Sequence, residues 1–287
     1  MSGLKEIRNR ISSVSSTMQI TNAMKMVSAA KLKKAQDSIS ATLPYSNRLS
    51  GLIQNISTSG ESLDSPFFIQ RSIKKILVVA ITSNKGLCGG FNSNVIKEVS
   101  RLIETKYLSK KVEIICIGKK GGDVLSKKNN VIDSFNSVYD EFSYENVKKI
   151  AELFMEKFSD ESYDEIILVY NHSKNAAAQH LTIEPYLPIE EDAEESTDQA
   201  SRDYIFEPSQ SDILNELIPK ALVVQLFKAI SDSIAGEHGA RMTAMHKATD
   251  NASEIRDQLK LTYNKARQAA ITNEILEIVG GAEALNS

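Results

Sequence analysis

The stretch NKGLCGGFN, Asn84 to Asn92, gathers three glycines and a cysteine between an apolar run and a helical pattern. A glycine-rich turn leading from a strand into a helix can present backbone N–H groups to a phosphate. The spacing here is GxxGG. The dinucleotide fingerprint requires GxGxxG and the phosphate loop requires GxxxxGK[ST], and neither is present. The stretch therefore reads either as a tight strand-to-helix turn or as a phosphate site at Gly86–Gly90. Cys88 would be a nucleophile only if the helix N-terminus lowered its pKa. No His or Asp nearby in the sequence supports that role.

Two other stretches carry reactive side chains. Lys25, Lys31, Lys33 and Lys34 make the N-terminal stretch basic. A nucleic-acid site would add aromatics or a known motif to such a patch, and this stretch has neither, so no nucleic-acid partner is expected. It reads as a solvated helix face or as a docking surface for an acidic protein. In NKARQAAITNEI, Lys265, Arg267, Gln268, Thr272 and Glu274 alternate with small residues, as on an exposed helix face. The four histidines show no metal spacing, and two cysteines, Cys88 and Cys116, are too few for a disulfide scaffold or a four-cysteine zinc site. No carboxylate pair or metal triad emerges, so no metal, cofactor or catalytic residue is expected.

Long helices must position these groups. Leu4 to Leu43 and Ala240 to Val279 contain neither glycine nor proline. In the first, Leu4, Ile7, Ile11, Val14, Met18 and Thr21 fall three and four apart, a heptad seam. The seam then shifts phase to Ile20, Met24 and Val27, and Leu32, Ala35 and Ile39 carry it on. Pro44 is expected to end or kink this helix near Leu43. In the second, Ala248, Ala252, Ile255, Leu259, Thr262, Ala266 and Ala269 repeat the spacing with small residues. Pro219 fits a first-turn position, and Gly280 and Gly281 supply a stop.

A helix from Pro219 to Val279 would be roughly 90 Å long. A compact domain of this size has a radius of gyration of about 19 Å. Such a helix must project or bend, and the N-terminal helix is its natural antiparallel partner.

Between the helices the texture changes. KKILVVAITS, VEIICIG and DEIILVYN read as strands, NSNVIKEVSRLIETKY and SYENVKKIAELFMEKF as helices, and KKGG as a turn. QHLTIEPYLPI reads as a last strand, at an edge because of its prolines. Alternating strands and helices predict a mainly parallel, Rossmann-like α/β domain. The expected organisation is a coiled-coil helix over 1–55, an α/β domain over 73–190, an acidic loop over 191–208 and a long coiled-coil helix over 209–287.

Composition limits the function classes. Of 287 residues 41% are hydrophobic, 25% charged and 6% aromatic, with no tryptophan. No apolar run is long enough to span a membrane. The N-terminus lacks the apolar core of a signal peptide, which predicts an uncleaved, intracellular chain. The net charge of −3 hides an uneven distribution. Residues 1–55 hold eight Lys or Arg against two acids, and residues 184–207 hold nine acids against one Arg, a pattern suited to electrostatic docking.

Three separated stretches then carry a resemblance. IRNRISSVSSTMQITNAMKMVSAAKLKKAQ, GLCGGFN, and ARMTAMHKATDNASEI with YNKARQAAITNEILEIVGGAEAL stand in the order found in gamma chains of F-type ATP synthases. The chain resembles that family over both termini and its centre. The resemblance implies a non-catalytic rotor shaft that couples proton-driven rotation of the membrane c-ring to ATP synthesis, with catalysis on the beta subunits. The coiled coil would sit in a ring of alpha and beta subunits, and the α/β foot against epsilon and the c-ring.

By matching motifs, Met24, Arg241, Arg267, Gln268, Thr272 and Glu277 are expected to contact the ring, together with Lys25, which stands where relatives often carry an acid. Tyr204 and Glu207 are expected at the foot. The resemblance further implies a peripheral protein on the cytoplasmic face of a bacterial plasma membrane, without thiol control. The residues by themselves leave two other classes open: an α/β enzyme with a phosphate at Gly86–Gly90, and a coiled-coil scaffold.

Overall fold

The computed structural model describes residues 2–57, 65–175, 178–189 and 210–286. Residues 191–208 of the expected acidic loop, with Tyr204 and Glu207, lie outside them. The chain divides into two compact units: Ala29–Ala240, and Met1–Ser28 with Arg241–Ser287.

The first unit is built on a five-stranded sheet. Its strands are β1 (Lys75–Ile81), β2 (Lys111–Ile117), β3 (Val131–Phe135), β4 (Glu165–Ser173) and β5 (Gln179–Leu187), in the order β3-β2-β1-β4-β5. The first four are parallel, and β5 runs antiparallel to β4 at the edge its prolines suggested. β1 is apolar at every position after Lys75 because both of its faces are covered. Leu77, Val79 and Ile81 point into one core with α4 (Tyr144–Ser159) and the first part of α5 (Gln210–Asn286). Ile76, Val78 and Ala80 point into the other, with α2 (Phe91–Thr105) and the short α3 (Lys119–Leu125). α2 buries Phe91, Val95, Val99 and Leu102, one helical stripe. α4 starts where the Ser143 side chain accepts the Asn146 N–H.

Two short elements were not expected. The KKGG turn is the helix α3, because groups distant in sequence cap it: Lys119 N–H donates to Asn84 Oδ1 (3.0 Å) and Gly121 N–H to Thr82 Oγ1 (2.8 Å). β3 is five residues of mixed polarity, joined to β2 through an irregular register at Ile114/Ile115, so it lacks an apolar run.

The first part of α5 is clamped to the sheet by polar bonds. Tyr186 Oη donates to the Leu222 carbonyl (3.0 Å) and Gln225 Nε2 to Glu184 (2.8 Å). His172 Nδ1 lies 2.8 Å from Asp232 Oδ2, whose residue is 4% exposed. Burial pushes the Asp232 carboxyl above its ordinary value, against the lowering pull of His172 and Lys228, with Glu184 adding to the rise. A raised carboxyl pKa means that the folded state holds its proton more firmly than the unfolded one. This contribution to stability is therefore present at low pH and is lost as pH rises through the folded pKa. Asp232→Asn is expected to flatten that fall, measured as the difference in unfolding free energy between variant and parent from pH 3.8, the ordinary carboxyl value, upward.

Several helix boundaries depart from expectation. The first helix, α1, runs Ser2–Ser57 straight through Pro44. An interior proline costs about 3 kcal/mol. Pro44 faces solvent, where water can satisfy the carbonyl that it leaves unpaired, and the turns beyond it bury Ser46 and Leu49. Pro219 likewise sits inside α5, which starts earlier, at Gln210. At the far end α5 continues through Gly280 and Gly281 to Asn286. Neither glycine takes a positive φ, so no left-handed cap forms, and each costs only about 1 kcal/mol in the helix.

The expected phase shift in α1 does not occur. One heptad seam continues through Lys25, Ser28, Leu32, Ala35, Ile39, Thr42, Ser46 and Leu49, all at least half-buried. Apolarity alone pointed elsewhere because Lys25 and Ser28 occupy seam positions. Ser28 Oγ satisfies itself on the Met24 carbonyl (2.7 Å), and Ile20 and Val27 are left 60% and 57% exposed.

In the second unit the two helices run antiparallel. Arg8 donates to Tyr263 Oη (2.7 Å), Met18 Sδ receives Arg256 (3.5 Å) and the Thr21 and Thr249 hydroxyls meet at 2.8 Å. The seam of α5 follows Thr249, Ala252, Arg256, Leu259, Tyr263 and Ala266, all buried or half-buried. Ile255, Thr262 and Ala269, expected in it, are exposed. The long stems of Arg256 and Tyr263 cover the seam and carry their polar ends out of it, so a search for small apolar residues passes over them.

Candidate functional site: exposed faces of the coiled coil

The glycine turn was the first candidate, and its polar groups bond to one another. The Asn92 carboxamide accepts the Ser83 N–H (2.9 Å) and donates to Ser83 Oγ (2.8 Å) and Cys88 Sγ (3.3 Å). Ser83 Oγ donates to the Lys85 carbonyl (2.7 Å). Cys88 is 2% exposed and packs with Phe91 and Ala240. Asn171 Nδ2 donates to the Phe91 carbonyl (3.0 Å). Directly above, Gly236 lets α5 close on the turn: a Cβ there would lie 3.3 Å from the Phe91 ring and 3.4 Å from the Asn171 carbonyl. The motif thus docks the carboxyl end of β1 against α5, in the crevice where open α/β sheets usually hold ligands. Burial also pushes the Cys116 thiol up to about 12, which keeps it protonated and unreactive.

The coiled coil offers open surface instead. Its register places Leu4 level with about residue 267 of α5, since paired residue numbers sum to about 271. Arg267 to Ala282 are all exposed. Ile271, Ile275, Leu276, Ile278 and Val279 are 49–67% exposed there, and at about 100° per residue they share one broad face of the helix. A helix that exposes a broad face of large apolar side chains needs cover from other molecules. Lower on the coil, Ile20, Met24 and Val27 form a second stripe at helical spacing, with Ile20 and Val27 mostly exposed.

The residues expected at partner contacts form two stations. Met24 and Lys25 are half-buried, level with about residue 246. Arg267, Gln268, Thr272 and Glu277 lie exposed on the tip, with Thr272 Oγ1 bonded to the Gln268 carbonyl (3.0 Å). The two stations are about 40 Å apart along the axis. Arg241 is buried, 7% exposed, and engaged within the chain. The exposed apolar residues Ile20, Val27, Leu276 and Ile278 were not singled out from the sequence as site residues. The failure of Ile20 and Val27 to fit the seam of Leu4 to Thr21 was the signal that could have found them.

Known proteins resemble this chain along its whole length. The family model described as ATP synthase matches residues 3–285. The ATP synthase gamma chain of Flavobacterium psychrophilum is 62% identical over 289 residues, covering 99% of both chains. That of Flavobacterium johnsoniae is 60% identical over the full length of both. Among solved structures, the rotor of the Euglena gracilis mitochondrial ATP synthase matches with a TM-score of 0.67 at 21% identity, covering 94% of this chain and 99% of that one. A second structure of that enzyme, in rotational state 3, gives 0.69 over 99% and 95%. These structural likenesses establish the shared fold, an α/β sheet joined to long helices from both ends of the chain. Family match and sequence identity together establish that the chain belongs to the ATP synthase gamma chain family.

Proposed function

We propose that this chain, a non-catalytic rotor subunit by its family, works as the central shaft of its complex. Its coiled coil would turn inside a ring of alpha and beta subunits, and its α/β unit would sit against epsilon and the membrane c-ring. The observation that carries this reading is the tip of α5, where consecutive residues are exposed on all sides and large apolar ones are frequent. A sleeve of other chains would cover that tip without a single deep contact, so rotation meets no strong well.

Proton flow would turn the c-ring and this chain together. The shaft is asymmetric: the stripe of Ile20, Met24 and Val27 lies on one side of the coil only. Each beta subunit would meet that stripe in turn and be biased among its conformations by differential contact. Met24 and Lys25 would form the lower station, Arg267, Gln268, Thr272 and Glu277 the upper one, Arg241 a supporting contact below, and Tyr204 and Glu207 the contact at the foot. The chain would bind no cofactor of its own. No described helix is long and apolar enough to cross a membrane. As part of that complex the chain would be peripheral, at the cytoplasmic face of a bacterial plasma membrane.

The test is purification through an affinity tag near Glu194 from detergent-solubilised membranes, followed by an ATPase assay. Alpha and beta subunits with ATPase activity are expected. A chain that emerges alone, from cells whose ATP synthase contains a different gamma chain, would contradict the reading. In the same preparation, Ile20→Glu with Val27→Glu should leave the melting temperature of the free chain within about 2 °C, because both sites are surface positions. Recovery of the complex should fall several-fold.

A further inference from the structure

The four parallel strands of the α/β unit all begin at one edge of the sheet, and that edge is basic. The turns into β1, β2 and β3 carry the pairs Lys74–Lys75, Lys110–Lys111 and Lys127–Lys128. The register sets Lys75 directly beside Lys111 on the neighbouring strand. Like charges so placed weaken a sheet, so another demand must favour them.

Several acids at this edge are already engaged, while Glu104 and Asp160, at the ends of α2 and α4, are exposed and form no ion pair among the described residues. Glu113 is bound by Lys111 (2.9 Å) and by Tyr163 Oη (2.5 Å), and Glu165 by Lys106 (3.8 Å). Glu161 lies 3.7 Å from Arg71. Asp164 accepts the backbone N–H groups of both Lys74 and Lys75 (2.8 Å each). Lys75, Lys110, Lys127 and Lys128 are exposed and form no ion pair among the described residues.

Apolar tips stand among these lysines. Leu108, between Lys106 and Lys110, is 78% exposed, more than any other large hydrophobic residue described. Its turn is rigid: Tyr107 is buried beneath it, Tyr107 N–H donates to the Leu102 carbonyl (3.0 Å) and Lys110 N–H to the Tyr107 carbonyl (3.0 Å). Ile73, next to Lys74, is 37% exposed.

We propose that this edge docks on an anionic lipid surface. Lysine heads at the level of lipid phosphates, with one fixed leucine reaching past them, match what an interfacial site requires. The cores of protein interfaces are depleted in lysine, whereas this edge carries lysine throughout with a single leucine among them. The edge lies wholly within one compact unit and does not depend on the rotor reading.

The full chain would be floated with vesicles of phosphatidylcholine, alone or with phosphatidylglycerol as about a third of the lipid. Partitioning is expected to be at least about tenfold higher on the anionic vesicles and to collapse in high salt. Each lysine contributes about fivefold, so K110E with K127E and K128E should lower anionic binding by at least about tenfold. Leu108→Ser should lower it several-fold and leave the salt dependence unchanged. K148E with K149E, on the far part of α4, should change it less than about twofold, which separates this edge from general surface charge. Circular dichroism of each variant checks that it folds. Equal recovery on both vesicle types, or unchanged binding by the triple variant, would overturn the proposal. So would a chain that ignores vesicles yet binds the purified membrane ring through the same lysines, because the surface would then serve a protein.

Discussion

A chain cut after Ala269 is expected to unfold at the same temperature as the full chain, yet to lose coupled ATP synthesis several-fold once assembled. Residues 270–282 are all exposed, so their removal takes no core packing from this chain. In a sleeve, Ile271, Ile275, Leu276, Ile278 and Val279 would each gain up to about 1.5–3 kcal/mol from full burial. Association costs offset most of that gain, and a net loss of one or two kcal/mol is enough for a several-fold effect. Two measurements check the expectation: a thermal melt of the free chain, and ATP synthesis by membrane vesicles at matched subunit content. A drop in the melting temperature of the free chain would mean that the tip packs on its own chain.

The largest effect on stability is expected at Gly118. Its φ of 103° lies where residues with a Cβ are strained, and a Cβ there would stand 2.0 Å from the Thr82 carbonyl oxygen. The obstacle is backbone, pinned between β1 and β2 by the Thr82 N–H to Ile117 carbonyl bond (2.8 Å), so it cannot move aside cheaply. Gly118→Ala should destabilise the α/β unit by about 3 kcal/mol or more. For a unit of this size that is roughly 6–12 °C in melting temperature. Gly280→Ala provides the contrast, because that glycine lies in an exposed helix with open space around it. It should be neutral or stabilising by up to about 1 kcal/mol. Melts of the two variants followed by circular dichroism would separate backbone strain from helix propensity.

The sequence was most legible where one physical demand acts alone. β1, residues 114–117 of β2 and residues 166–170 of β4 are buried on both faces and read as apolar runs. α2 and α4 have one buried stripe each, and Pro185 within β5 and Pro188 just after it marked that strand as an edge. Misreadings arose where two demands compete. Pro44 and the Gly280–Gly281 pair oppose a helix locally, but packing beyond Pro44 and the absence of a competing cap at the glycines prevail. α3 is capped by Thr82 and Asn84 from the turn after β1, which no local pattern reveals.

The candidate site shows the same division. The apolar tip of α5 was conspicuous because an exposed helix end rich in isoleucine is costly unless something covers it. The seam beneath it was harder to read. Lys25, Arg256 and Tyr263 take seam positions through their long stems, and Ile20 and Ile255 stand outside. A hydrophobic count assigned these residues the wrong way round, so exposed surface was mistaken for part of the core. The glycine turn, the strongest chemical signal by residue type, serves the packing of α5 through Phe91, Asn171 and Gly236.

Observing rotation directly tests the shaft most plainly. The complex carrying this chain would be fixed to glass through its beta subunits, with a bead attached to a cysteine placed at Lys148, an exposed position on α4. On addition of ATP the account predicts sustained turning in one direction, in steps of three-fold symmetry, that stops when ATP is removed. A bead that only fluctuates about a fixed angle while the same complexes hydrolyse ATP would contradict it.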